Sequence, residues 1–346
     1  MGDFAYVNAR VRVMKSQLLP PARVEELLRL PDLDALTHAL ADTPYRVELH
    51  EALTRFSGVR AVDEAVAQHF YRTTRRILSF ADGQERRLIE VVLLRYDLQN
   101  IRAIVRGRHT EKDDADILAT LYPGGLLSEA KLQELLRQPD LRTIADTLIM
   151  WLHPLGLDLR QGVNAAERSG RLLDIEVALD AAYFRYGLRE GRREVTLRRF
   201  LGMAIAATNL RTALILRRVK DLTEEERGRF FIPGENILPR ERFVVLADPE
   251  SSLSEVTKIR PFGADLGGTE DLLEIERRLD RVFQREAAQF SMGDPLALDL
   301  VIGFLARKGA EVSNLRVIAH ARYLGLPEDA TRRELVGVQG RDYHGL

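Results

Sequence analysis

Two short strings recur along the chain with one spacing, and that spacing restricts the fold more than any other feature. Leu28-Arg29-Leu30-Pro31-Asp32-Leu33 returns as Leu136-Arg137-Gln138-Pro139-Asp140-Leu141. It returns more weakly as Leu246-Ala247-Asp248-Pro249-Glu250, so the prolines stand 108 and 110 residues apart. Asn100-Ile101-Arg102 returns as Asn209-Leu210-Arg211 and Asn314-Leu315-Arg316, at 109 and 105 residues, with a cousin at Asn8-Ala9-Arg10. One period in two independent markers is the signature of repeated supersecondary units. A chain of 346 residues holds three of them.

The markers also say what the units contain. Proline just ahead of an acid predicts a helix break and restart. Each copy leads on to a turn: Thr43-Pro44-Tyr45, His153-Pro154-Leu155-Gly156 and Arg260-Pro261-Phe262-Gly263. Pro123-Gly124 lies 23 residues beyond Asn100, and Pro233-Gly234 lies 24 beyond Asn209. Between the turns, apolar residues recur at three and four, as in Val62, Ala65, Val66, His69, Phe70, Thr73 and Ile77, or Leu272, Ile275, Leu279, Val282 and Phe283. That is the period of a one-faced helix. Long helix pairs are predicted over 61–106, 171–218 and 269–323. Only Arg242–Leu246 carries enough β-branched and aromatic character for a short strand, and it reads equally as a helical turn.

The expectation is an all-α chain of three helical units, 1–106, 107–219 and 220–336, with a tail over 337–346. Because the chain begins and ends with a marker helix, the last helix is expected to pack near the first, closing the repeat rather than leaving an open solenoid. Asparagine is a poor residue inside a helix, since its side chain competes for backbone groups. Its return at one place in each unit therefore asks for a tertiary tie to a neighbouring loop. Asp97 and Glu311 stand three before their asparagines, on the same helix face.

Composition excludes several functions. Fifty-one Lys and Arg against 52 Asp and Glu give a net charge of −1, which does not favour a dedicated nucleic-acid binder. Forty-five of the 51 cations are arginine, read as genome composition. There is no cysteine, so disulfides, thiol nucleophiles and Cys-ligated metals are absent. The longest run without a charge, Ile117–Ser128, has twelve residues and contains Pro123-Gly124-Gly125. A spanning helix takes about 18–20 apolar residues, so none is expected. The first residues lack the basic-then-apolar order of a signal peptide.

Chemistry-bearing motifs are missing as well. No phosphate-binding Gly-rich loop with its lysine occurs, and Gly263–Thr269, which carries Asp265 instead, reads as an inter-helix loop. His50-Glu51 opens like a zinc-protease helix, but the second histidine position is Thr54. The seven histidines share no metal-ligand spacing. Asp113-Asp114-Ala115-Asp116 reads as a solvated helix start, where acids favour the dipole. No catalytic, cofactor-binding or metal-binding residue is assigned, and the chain reads as a binding or mechanical part.

The opening Phe4-Ala5-Tyr6-Val7-Asn8-Ala9-Arg10-Val11-Arg12 resembles the start of the C subunits of the V/A-type rotary ATPases, the relatives of the d subunit of the eukaryotic V-ATPase. The likeness continues in order through Leu93-Leu94-Arg95-Tyr96-Asp97-Leu98-Gln99-Asn100-Ile101-Arg102, Asn209-Leu210-Arg211 and Ala321-Arg322-Tyr323-Leu324-Gly325-Leu326-Pro327. It covers about residues 3–336. The resemblance implies a funnel of three similar helical domains around a pseudo-threefold axis. It implies a non-catalytic rotor part, peripheral on the cytoplasmic face of the membrane, that joins the central stalk subunits D and F to the membrane rotor ring. The tail from Gly337 on departs from the family pattern, and no function attaches to it.

On that reading Arg10, Arg12, Arg102, Arg211 and Arg316 are candidate stalk or ring contacts. The competing account pairs them within the chain, as repeat-equivalent residues often are. A helical-repeat adaptor of another complex is the alternative function.

Overall fold

Apolar residues spaced three and four apart become helices in every part of the chain that the computed structural model describes, namely residues 4–219, 222–234, 237–267, 269 and 271–337. The tail beyond Gly337 lies outside the described residues. Four short helices, α1 (Ala5–Lys15), α2 (Pro21–Leu28), α3 (Leu33–Leu40) and α4 (Arg46–Leu53), precede two long ones, α5 (Gly58–Leu78) and α6 (Gly83–His109). The order then repeats. The short helices α7 (Asp114–Thr120), α8 (Glu129–Leu136), α9 (Leu141–Met150) and α10 (Gly156–Ser169) lead to α11 (Leu172–Glu190) and α12 (Val195–Leu216). A third run, α13 (Glu224–Arg229), α14 (Arg240–Ala247) and α15 (Gly263–Leu266), leads to α16 (Leu272–Gln289) and α17 (Asp299–Tyr323), with α18 (Glu328–Glu334) at its end. Among the described residues there is no strand.

The Pro-Asp marker works as a cap. Asp32 accepts a hydrogen bond from the Ala35 N–H at 2.8 Å and starts α3; Asp140 accepts from the Thr143 N–H at 2.7 Å and starts α9. Each satisfies one donor that the first turn leaves without a helical partner. The third copy differs. Its proline is followed by Glu250, a poorer cap, and Asp248 only folds a turn by accepting from the Glu250 N–H. Ser252 caps the next element, a single 3-10 stretch over Leu253–Lys258.

Two local expectations are resolved by packing. Arg242–Leu246 lies within α14, where Phe243, Val244 and Ala247 are buried while Val245 is exposed, a helical and not an alternating pattern. Gly263–Thr269 is not loop throughout, because its first four residues form α15. As the sequence suggested, Asp113 and Asp114 stand at the solvated start of α7.

The described residues fall into two compact units. The mid-chain unit comprises Ile104–Glu111 and Glu134–Glu286. Within it α10 packs on α9 and α11, and α12 on α11 and α14. Helix α12 is long and apolar enough to cross a membrane by length and composition, which the length of uncharged runs does not reveal; 72% of its most apolar stretch is buried in the protein. Of the described residues, the split unit comprises 4–103, 112–133 and 287–337. Here α17 packs against α1, α2, α3 and α5, so the late helix does meet the first ones.

Candidate functional site

The repeated asparagines make one contact three times. Asn100 accepts from the Tyr122 N–H at 2.7 Å and donates to the Tyr122 carbonyl. Asn209 accepts from the Ile232 N–H at 3.0 Å and donates to the Ile232 carbonyl at 2.8 Å. Asn314 does the same with Val336, at 2.8 Å both ways. The partners lie 22, 23 and 22 residues downstream. A planar amide is the one side-chain group that matches the donor and acceptor of a single backbone residue at once. All three asparagines are buried, where an unmatched amide is costly. The cousin Asn8 donates instead to the carbonyls of Pro295 and Ala297, at 2.7 and 2.8 Å.

The neighbouring acids add a second tie. Asp97 is fully buried and takes the consecutive N–H groups of Leu126 and Leu127 at 2.7 and 3.1 Å. Gly125 makes room for it, since a Cβ there would lie 2.0 Å from Asp97 Oδ1. Glu311 takes the Leu19 N–H and the Tyr45 hydroxyl, each at 2.6 Å.

A third recurrence escaped sequence reading. Arg108, Arg217 and Arg322 stand eight residues beyond the three asparagines. Each donates to one or more carbonyls at or beside one of the three proline markers. Arg108 reaches Leu136 and Gln138, Arg217 reaches Leu246, Asp248, Pro249 and Ser251, and Arg322 reaches Leu30 at 3.2 Å. The signal was available: these arginines share the 109 and 105 residue spacing, but they lie two helical turns past the string that drew attention.

The five candidate contact residues have different surroundings. Arg211 pairs with Asp280 on α16. Arg316 pairs with Asp63 on α5 at 3.1 Å, donates to the Ala119 carbonyl and lies 4.9 Å from the Tyr122 ring. Both make contacts inside their units. Arg102 is half-buried on α6. Arg10 and Arg12 are exposed on α1, with the Arg10 guanidinium 5.3 Å from the Tyr6 ring centre and 5.8 Å from that of Phe80, and donating to the Tyr6 hydroxyl at 3.3 Å.

The densest buried charge belongs to the split unit. Lys308, on α17, donates to Glu311 at 2.6 Å and to the Tyr45 hydroxyl at 3.0 Å, and its ammonium lies 4.4 Å over the Tyr45 ring. Burial pushes the lysine below its ordinary value against the opposing pull of Glu311. Burial, with the Glu311 charge, pushes Tyr45 well above the phenol range. Beside it, Glu48 receives His69 at 3.1 Å and Arg72 at 3.0 Å. Burial would raise Glu48, but these bonds together with its backbone bond leave it below the usual carboxylate value. Every member is satisfied within the protein, so the cluster fastens α17 to the N-terminal helices. Among the described residues no group of histidines and acids has the arrangement of a metal site.

These features define an all-helical protein in which α6, α12 and α17, the second long helix of each run, are fastened to loops by repeat-equivalent asparagine and arginine clamps. The ATP synthase (C/AC39) subunit family matches it over residues 7–334, and the chain belongs to that family. It is similar to the C subunit of the V-type ATP synthase of Deinococcus radiodurans, 32% identical over 96% of this chain and 91% of the relative. It is also similar to the C subunit of the V-type ATP synthase of Thermus thermophilus, 31% identical over 96% and 98%. The C subunit of the A-type ATP synthase of Haloferax volcanii is 27% identical over 96% and 97%.

Proposed function

We propose that this protein is the non-catalytic C subunit of a V/A-type rotary ATPase, coupling the central stalk subunits D and F to the membrane rotor ring. The observation that carries the reading is the match to C-subunit relatives along nearly the whole of both chains. The clamps fit a part that transmits torque. Such a part must hold its helices in register under load, and tying α6, α12 and α17 each to two loops at fixed sites does this without a flexible hinge. The protein sits peripherally on the cytoplasmic side of the membrane, attached through the ring. The threefold division at 106 and 219, with the funnel form that the family resemblance implies, belongs to the same proposal. The three equivalent asparagine clamps support it.

The test is reconstitution. Purified chain mixed with the D and F subunits of its own ATPase should co-elute as a stoichiometric complex, and that complex should bind detergent-solubilised rotor ring. Failure to bind either partner would remove the reading. Arg211→Gln and Arg316→Gln are expected to lower thermal stability while leaving stalk affinity intact, because both arginines already hold intramolecular acids.

A further inference from the structure

Helix α1 has two unlike faces. Val7, Asn8, Val11 and Met14 are buried, in a split unit where α1 packs on α17 and α5. The other face exposes Tyr6, Ala9, Arg10, Arg12 and Val13, with Tyr6 58% and Val13 62% accessible. The helix contains Arg10, Arg12 and Lys15 and no acid. Among the described residues Lys15 has no carboxylate partner. Burial lowers its pKa, and the charges of Arg307 and Arg12 lower it further. Lys15 and Arg307 line one cleft of about 300 Å³ with Leu18, Pro20, Pro21 and Val24, and with Glu311, whose carboxylate is already held by the Leu19 N–H, Tyr45 and Lys308.

Helix-end electrostatics explain part of this. Cations in a last turn complement the helix dipole, by about 0.3–1 kcal/mol each, and Arg12 and Lys15 occupy that turn. The dipole does not explain Arg10, which lies earlier, sits near the Tyr6 and Phe80 rings and donates to the Tyr6 hydroxyl at 3.3 Å. Nor does it explain Arg307, which comes from α17, or the two exposed apolar side chains in the same strip. A net charge of −1 for the chain makes this surplus local. Arginine beside exposed tyrosine is the composition of an interface anchor.

We propose that the outer face of α1, together with the cleft at its C-terminal end, docks an acidic amphipathic helix of the central stalk. Carboxylates of that helix answer Arg10, Arg12 and Lys15, while its apolar side chains cover Tyr6 and Val13 and enter the cleft. This rests on the stalk-coupling reading and adds the surface and the chemistry of the partner to it. Helix-in-groove recognition uses this pairing of apolar anchors with flanking charge. Opposite charge also speeds encounter in a salt-dependent way.

The experiment measures binding of the purified D–F complex to full-length wild type, to Arg12→Glu/Lys15→Glu and to Val13→Ser, at low and high salt. Unchanged circular dichroism and melting establish that the variants fold, with Arg12 and Val13 exposed and Lys15 part-exposed at the cleft. The charge variant should lose at least about tenfold in affinity and most of its salt dependence. Val13→Ser should lose less, with little change in salt dependence. Wild-type affinity in both variants overturns this inference and leaves stalk coupling standing. No binding by wild type removes both. Retained D–F binding with loss of binding to vesicles containing anionic lipid would make the occupant a membrane, and would also overturn the proposal.

Discussion

A buried asparagine that answers both polar groups of one backbone residue leaves two groups stranded when it is removed. Asn209 does this for Ile232, and both of its bonds are buried. Asn209→Leu should cost about 2–4 kcal/mol, since each stranded group costs ~1–3 kcal/mol and the new side chain recovers some apolar burial. Asn209→Asp should also destabilise, because a carboxylate keeps the N–H bond but cannot donate to the Ile232 carbonyl. Urea unfolding measures both, and wild-type midpoints would refute the clamp. The repeat and the poor helix propensity of asparagine made this role legible in the sequence. What could not be read was the Tyr45–Lys308–Glu311 cluster. Its members are joined by contacts across 263 and 266 residues and by no shared motif. Glu311 gave a hint through its position on the asparagine face, but nothing in the string marks Lys308 as buried.

At the scale of elements, the Pro-Asp marker is a helix start where its aspartate caps and only a turn where it does not. Asp32→Ala and Asp140→Ala should each cost about 0.5–2 kcal/mol, the usual range for losing an N-cap. Asp248→Ala should cost less, because Asp248 ends α14 through its backbone, its side chain N-caps no helix, and its ion pair with Arg227, at 3.5 Å, is part-exposed. Thermal melts of the three variants check the order, and an equal loss in all three would show that the turn and not the cap matters. The long helices were legible because each buries an apolar stripe over many turns. The third Pro marker was only weakly legible for the same reason that it folds differently. Its cap residue is changed, and the helix after it is reduced to a 3-10 stretch and the four residues of α15.

At the scale of the molecule, the split unit is held together by contacts between the two ends of the chain. Asn8 bonds Pro295 and Ala297, Leu19 and Tyr45 bond Glu311, Glu25 pairs with Arg332, Leu30 receives Arg322, and Asp63 pairs with Arg316 and His320. The sequence period predicted that the last helix would return to the first, but it could not name these partners, because period records equivalence and not neighbourhood. Such separations, 253 to 307 residues, are costly to close and form late. Helices α1, α2, α3 and α5 therefore lack a packing surface until α17 is present, and α4 packs mainly on α5, which depends on it. A chain ending at residue 286 should show fast amide exchange across α1–α5 while α9–α12 stay protected, since the packing of α9 through α12 lies within residues 134–286. Hydrogen-exchange mass spectrometry of the full and shortened chains reads this directly. Full-length protection of α1–α5 in the shortened chain would mean that these helices hold one another, and that the long-range clamps only orient them.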